Sequence, residues 1–437
     1  MTGSAVVLGA SIAGLLAARV LSGHYRVTIV ERDDVTGADQ RRGVPQARHL
    51  HGLMERGRQI LEELHPGITA QLAAEGAPTT EVLRESRWYL SGLRMHPTDT
   101  GLITLLASRP MLEDGLRRRT LALENVTLVR HNATGLVGDE NGDVVGVRCD
   151  DGRSLAADLV VDATGRGSRA SDWLVDLGHH RPAEQRVDVD LGYASRFYRR
   201  RPDHLDGDRG VVVSTMPGFR GGGAIVLEGE RWHVTLAGML GDHPPADHEG
   251  FTAFAATLPV PDVHRIVADA EPLGDAVPHR FRGSLRRRHD LVPASPNGFL
   301  VVGDALCSFN PLYAQGMTVA GQQALVLRDL LAEGRLTPQR FYRRSARAVD
   351  TAWRMSTGAD LRDERVEGPR PLRTRLTNAY VGRVHVAAHR DPEVARVLMR
   401  TANLTIPPTA LLAPPVLLRV LRRGSASPGG VGVVDGA

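Results

Sequence analysis

The stretch Ala5 to Glu31, AVVLGASIAGLLAARVLSGHYRVTIVE, constrains this chain more than any other. Ala5-Val6-Val7-Leu8 is a run of small and branched residues, Gly9-Ala10-Ser11-Ile12-Ala13-Gly14 follows at once, and the apolar spacing is then helical from Ile12 through Leu21. A second branched run, Arg26 to Val30, ends in an acid, Glu31. Strand, tight turn, helix and strand with an acid at this distance form the fingerprint of a βαβ unit that holds a dinucleotide. Gly9 allows the sharp turn, a small residue at Ser11 lets backbone approach a pyrophosphate, and Gly14 lets the helix lie close to the sheet. Free N–H groups at the helix start hold the phosphates, while the Glu31 carboxylate accepts from a ribose diol. Glu31 in place of an arginine argues against a 2′-phosphate here, and Ser11 stands where the pattern has its second glycine.

Composition removes several chemistries. All 54 basic residues are arginine and are mixed with 50 acids, so nothing marks a nucleic-acid binder. The absence of lysine excludes a Walker A lysine, a pyridoxal Schiff base and a lysine nucleophile. At 437 residues the chain has room for two or three domains and a large core. Cys149 and Cys307 form no CxxC pair, which suits a reducing cytoplasm. The first strand begins almost at Met1, leaving no room for a signal peptide, and no apolar run approaches the ~20 residues of a membrane span.

Two further strands run into glycine-bearing loops. Leu159 to Asp162 leads into Ala163-Thr164-Gly165-Arg166-Gly167-Ser168-Arg169, and Phe299 to Val302 leads into Gly303-Asp304-Ala305 with Pro311 and Gly316 downstream, then a helix from Met317 to Leu331. Between them, Gln185 to Gly241 reads as antiparallel strands with a hairpin at Gly229-Glu230, and short helices follow at Gly250 to Leu258 and Val263 to Ala270. Ser108 and Pro110 open another helix. From Pro338 the chain is arginine-rich and mostly helical, with a glycine-rich tail expected to be disordered. His385 and His389 have the i, i+4 spacing of metal ligands, but no glutamate follows His385 and no third ligand is evident, so no metal is expected.

Three loops at the C-terminal ends of strands surround a long dinucleotide better than one. Together they resemble the FAD-dependent class A monooxygenases of the para-hydroxybenzoate hydroxylase fold, from about residue 4 to 350. The N-terminal loop is similar to the family's ADP-binding fingerprint, Asp162 to Arg169 to its internal motif, and Gly303-Asp304-Ala305…Pro311…Gln315-Gly316-Met317 to its G-D motif. In texture, Arg41 to Gly52 and Cys307 to Met317 resemble bacterial polyene epoxidases of polyether biosynthesis and, more distantly, squalene epoxidase. Ala314 departs from the family, which has glycine there.

The resemblance implies an α/β architecture: a Rossmann-type FAD-binding domain (1–78, 98–180, 285–350), an inserted antiparallel β-rich substrate domain (79–97, 181–284) and a helical C-terminal region (351–437). It implies FAD as cofactor, with NADPH or NADH as electron donor, directly or through a flavin reductase. The cofactor residues it implies are Gly9, Ser11, Ile12, Ala13, Gly14, Glu31 and Arg32, then Arg42 and Arg109 along the phosphates, Ala163, Thr164 and Gly165, and Gly303, Asp304, Pro311, Gly316 and Met317. Asp304 would accept from the ribityl chain, and the helix after Gly316 would aim its N-terminus at the flavin. Because the oxidant belongs to the cofactor, no acid–base dyad is required; His51 and Tyr313 are the candidates for a catalytic contact, and Trp88, Tyr193, Arg196 and Phe197 for substrate contact. The implied reaction inserts one oxygen atom of O₂ into a hydrophobic or aromatic secondary metabolite, foremost an alkene epoxidation through a flavin C4a-hydroperoxide. Aromatic hydroxylation, desaturation or reduction are alternatives, as is a non-catalytic flavin protein. A halogenase is disfavoured, since no tryptophan lies in a W-x-W-x-I-P stretch and lysine is absent.

Overall fold

A computed structural model describes residues 3–35, 45–216 and 218–424. Arg42 and the tail after Gly424 therefore lie outside the described residues. The leading stretch forms β1 (Gly3–Leu8), α1 (Ile12–Leu21) and β2 (Tyr25–Glu31). These build a five-stranded parallel sheet in the order Phe299–Val301, Leu159–Asp162, β1, β2, Val126–Arg130. Its central strands are buried on both faces, as helices on either side require, so they read as continuous apolar runs rather than alternating ones. The three glycine loops leave this sheet from adjacent strands, and so they converge.

The second sheet has eight strands, in the order Cys307–Ser308, Val277–Arg287, Glu184–Arg199, Arg231–Gly238, Arg220–Leu227, Gly210–Val213, Ser86–Leu90, Leu93–Arg94. It is antiparallel throughout except for the parallel pairing of Gly210–Val213 with Ser86–Leu90. The expected hairpin is present: Leu227 pairs with Arg231 across a three-residue loop in which Gly229 and Glu230 hold left-handed φ of 75° and 50°. Val277–Arg287 escapes a sequence reading because its arginines break the apolar alternation. The structure makes it a strand by pairing it along most of Glu184–Arg199, and buries Arg286 and Arg287 with Phe281 and Leu285.

Cys307–Ser308, within the third glycine loop, pairs with Leu285 and Arg286 of that strand. The loop is thus stitched to both sheets. Four helices, Pro338–Asp360, Leu372–Arg390, Pro392–Ala402 and Pro414–Arg423, complete the chain. The last three share a core of Val384, Val394, Leu398 and Val420 with Val82, Met95 and Leu102. No described helix is long and apolar enough to cross a membrane.

Candidate functional site

A cavity of about 2120 Å³ opens where the three loops, one face of the eight-stranded sheet and the C-terminal helices meet. Ligand pockets typically occupy roughly 300–1,000 Å³, so this one has room for more than one occupant. Gly9, Ser11, Ile12, Ala13, Glu31, Arg32, Arg109, Ala163, Thr164, Gly165, Gly303, Asp304, Pro311, Gly316 and Met317 line it, as do His51, Tyr313, Trp88 and Tyr193. Gly14 lies beneath the first loop rather than on the wall.

Small residues let the loops close on one another. A β-carbon at Gly14 would stand 1.9 Å from the Gly9 carbonyl oxygen, one at Gly9 (φ 99°) 2.8 Å from the Ala163 oxygen, and one at Gly303 (φ 62°) 2.7 Å from the Ala13 β-carbon. Gly9 N–H donates to Val30 O at 2.8 Å, closing the first turn. The Glu31 carboxylate accepts from Ala10 N–H at 2.8 Å and from Asp33 N–H at 3.0 Å, and so ties the end of β2 to the same turn.

Ser11 explains its own departure from the glycine pattern. Its hydroxyl donates to Glu113 at 2.6 Å and accepts from Arg109 at 3.0 Å, while Arg109 Nε meets the same Glu113 oxygen at 2.7 Å. Arg109 and Glu113 are both buried, so the arginine's charge is balanced within the protein. Arg109, expected along the phosphates, thus stands on the cavity wall with Glu113 as its ion-pair partner. Because the Ser11 side chain is committed sideways it does not cap α1, and Gln315 does not cap the helix Gly316–Ala332 either. Both helices thus start at the cavity wall with no side-chain acceptor for their first N–H groups among the described residues.

In the second loop Asp162 is a turn residue: buried, it accepts from Thr164 N–H at 2.8 Å, from the Thr164 hydroxyl at 2.6 Å and from Ser168. In the third loop Asp304 makes no side-chain hydrogen bond to any described residue and faces the cavity, where burial raises its carboxyl and the Arg109 and Arg166 charges hold it back. Ala314, where a glycine was expected, keeps the left-handed conformation a glycine would take, at φ 52° and ψ 23°. A residue with a β-carbon holds that conformation at a cost of about 1–2 kcal/mol. Cys307 is buried and its thiol is pushed well up by desolvation, as an inert core thiol would be.

Of the expected substrate contacts, Trp88 and Tyr193 face the cavity, but Arg196 and Phe197 do not. Strand alternation turns Arg196 to the opposite face, where it bonds Gly274 O at 2.7 Å and His248 at 2.8 Å. Phe197 is covered instead by His233, stacked at 4.2 Å, and by Arg231. Sequence reading missed what stands around Tyr193. His49 packs edge-on against its ring at 4.5 Å and bonds Ser195 at 2.8 Å, and His279 lies 5.1 Å from Tyr193. Burial lowers His49 to about 3 and His51 to about 4, so both are neutral imidazoles of little basicity. Also missed was Asp360, wholly buried behind Tyr313, which accepts from the Tyr313 hydroxyl at 2.8 Å and from Asn310 Nδ2 at 2.9 Å. No local signal in the sequence singles it out. His385 and His389 do not converge on a metal: the first meets Ser91 at 3.2 Å, the second Arg94 O at 2.6 Å.

Known proteins resemble this chain in sequence and in fold. No protein-family model matches the chain. Protein Rv3254 of Mycobacterium tuberculosis is 37% identical over 426 residues, spanning 92% of this chain and 89% of that protein. The 6-methylpretetramide 4-monooxygenase of Streptomyces rimosus is 27% identical over 417 residues, with 91% of each covered. Among solved structures, a flavoprotein/dehydrogenase of Cytophaga hutchinsonii superposes with a TM-score of 0.70 at 16% identity (96% and 97% covered). The flavin-dependent brominase Bmp2, as a triple mutant, gives 0.69 at 14% (96% and 100%). PqsL of Pseudomonas aeruginosa, a probable FAD-dependent monooxygenase, gives 0.62 at 15% (90% and 98%). The chain belongs to one family with protein Rv3254, and it shares its fold with the flavin-dependent enzymes among these solved structures.

Proposed function

We propose that this protein holds FAD across the three loops and uses it to insert one oxygen atom of O₂ into an apolar secondary metabolite, at an alkene carbon pair. The observation that carries the cofactor assignment is the coincidence of small residues and uncapped helix starts on one wall. Gly9, Ala13, Ala163 and Gly303, which let the loops close on one another, also line the cavity and offer a ligand little side chain. The first N–H groups of α1 suit a pyrophosphate, and those at Gly316 suit an electron-rich ring edge. The buried Gln315 Oε1, which has no partner among the described residues, suits a ligand donor. Glu31 and Asp304 would take ribose and ribityl hydroxyls. Bound there, FAD supplies the two-electron reduction of O₂ and the electrophilic oxygen. NADPH or NADH as donor, directly or through a reductase, goes with this reading.

The protein's share is to orient substrate and exclude water. His49, His51, His279, Tyr193 and Trp88 line the cavity. The lowered imidazoles make poor acceptors for a phenol proton, whereas an alkene has no proton to remove before it reacts. Aromatic hydroxylation is the second reading, favoured by the named activity of the Streptomyces rimosus relative. A halogenase is opposed by the missing lysine.

The cofactor test pairs Asp304→Ala with Glu333→Ala, an exposed residue paired with Arg344. We expect purified wild type and Glu333→Ala to be yellow and Asp304→Ala to lose flavin on dialysis, by roughly 5- to 150-fold in affinity. Equal flavin content overturns the placement. For the reaction, one ¹⁸O recovered from ¹⁸O₂ in an epoxide supports the first reading, and a labelled phenolic hydroxyl with inert alkenes replaces it by the second.

A further inference from the structure

Between Pro371 and Gly424 the chain carries nine arginines against two acids, Asp391 and Glu393, a formal +7 within a protein whose total is +4. Both acids are already engaged: Asp391 by Arg419 and Arg423, Glu393 by Arg396. Arg373, Arg375, Arg383, Arg390, Arg400 and Arg422 are exposed and have no ion-pair partner among the described residues.

The same segment concentrates exposed apolar surface. Of nine large hydrophobic residues exposed among those described, five are here: Leu372, Leu376, Leu412, Leu418 and Leu421, each between 52% and 71% accessible. Leu372 and Leu376 are one turn apart on Leu372–Arg390. Leu418 and Leu421 share the outer side of Pro414–Arg423, whose inner side buries Val416 and Val420. Leu376 and Leu412 are also part of the cavity wall, which places them at an opening of the cavity.

From these observations we propose that this face seats on an anionic lipid bilayer, with the leucines at the boundary of headgroups and acyl chains, the unpaired arginines over lipid phosphates, and the cavity opening toward the membrane. A surface that joins exposed leucines to uncompensated arginines binds in the interfacial plane, by apolar burial plus attraction to anionic headgroups. A second copy of the chain is a poorer occupant, because a two-fold contact would bring the arginine-rich face against itself. The docking stands or falls independently of which reaction the cavity supports.

The test is co-sedimentation of the full-length protein with phosphatidylcholine vesicles, with and without phosphatidylglycerol. We expect binding only with the anionic lipid, weakened by salt, and weakened roughly fivefold for each arginine removed in Arg373→Gln and Arg375→Gln. Leu418→Ser with Leu421→Ser, and Leu372→Ser with Leu376→Ser, should abolish it while leaving the thermal unfolding midpoint and the circular dichroism spectrum unchanged, since these side chains are exposed. Vesicle binding that is indifferent to the leucines overturns the proposal in favour of a general polyanion site. Dimerisation lost in the leucine variants, without vesicle binding, overturns it in favour of a second copy.

Discussion

A β-carbon at Gly14 would overlap the Gly9 carbonyl oxygen, and the contact is backbone, so no side chain can turn aside to relieve it. Gly14→Val should therefore push α1 off the sheet, costing about 1–3 kcal/mol or more, and this should appear as a lowered denaturant midpoint together with lost yellow colour. Asp360 offers a test of opposite character. Both of its hydrogen bonds fall on Oδ1, Oδ2 has no partner among the described residues, and burial raises its carboxyl from the ordinary 3.8 to about 7. The folded protein thus binds a proton there that the unfolded chain has released. Between about pH 4 and pH 7 this group makes stability fall as pH rises, by up to about 1.4 kcal/mol per pH unit. Asp360→Asn, which keeps the shape without the charge, should remove that slope in denaturant titrations at several pH values.

At the scale of elements, a triad of half-buried Ser11 with buried Arg109 and Glu113 ties α1 to the helix Arg109–Leu121, beside their shared apolar core. Breaking a buried ion pair from one side leaves the other charge stranded, at about 3–5 kcal/mol. Glu113→Ala should therefore destabilise far more than Ser11→Gly, which restores the common glycine pattern and loses about 1 kcal/mol of hydrogen bonding. Chemical denaturation of the two variants checks the order. An inverted ranking would mean that the serine, not the ion pair, carries the junction.

Over the whole molecule, the acid side of the stability profile is governed by imidazoles. His49 and His233 are buried, and desolvation together with neighbouring cations and imidazoles lowers each from 6.5 to about 3. Their folded forms refuse the proton that the unfolded chain accepts, so they make stability fall as pH drops below about 6.5 toward 3. That opposes Asp162, Asp304 and Asp360, whose carboxyls burial raises, but burial lowers His51, His65, His279, His289 and His385 as well, so the imidazoles outnumber the raised acids. Net stability should therefore decline on acidification from pH 6.5, and His49→Asn should flatten the decline in thermal scans. A profile unchanged by that substitution would place the acid sensitivity elsewhere.

The sequence by itself determined the features whose cause is local. The turn of β1 into α1 follows from glycines at fixed spacing, the acid at Glu31 from its distance along the chain, the Gly229-Glu230 hairpin from its turn residues, and the convergence of three loops from strands that must be parallel. The β-rich insertion and the helical C-terminal part were legible for the same reason. Tertiary structure alone decided the rest, because it rests on partners far apart in sequence. Glu113 answers Ser11 across 102 positions, and Glu184–Arg199 turns the arginine-rich Val277–Arg287 into a strand. Strand parity faces Tyr193 into the cavity and Arg196 away from it. Burial, a property of the assembled core, makes a near-neutral acid of Asp360 and weak bases of His49 and His51. No spacing along the chain encodes the environment that sets those charges.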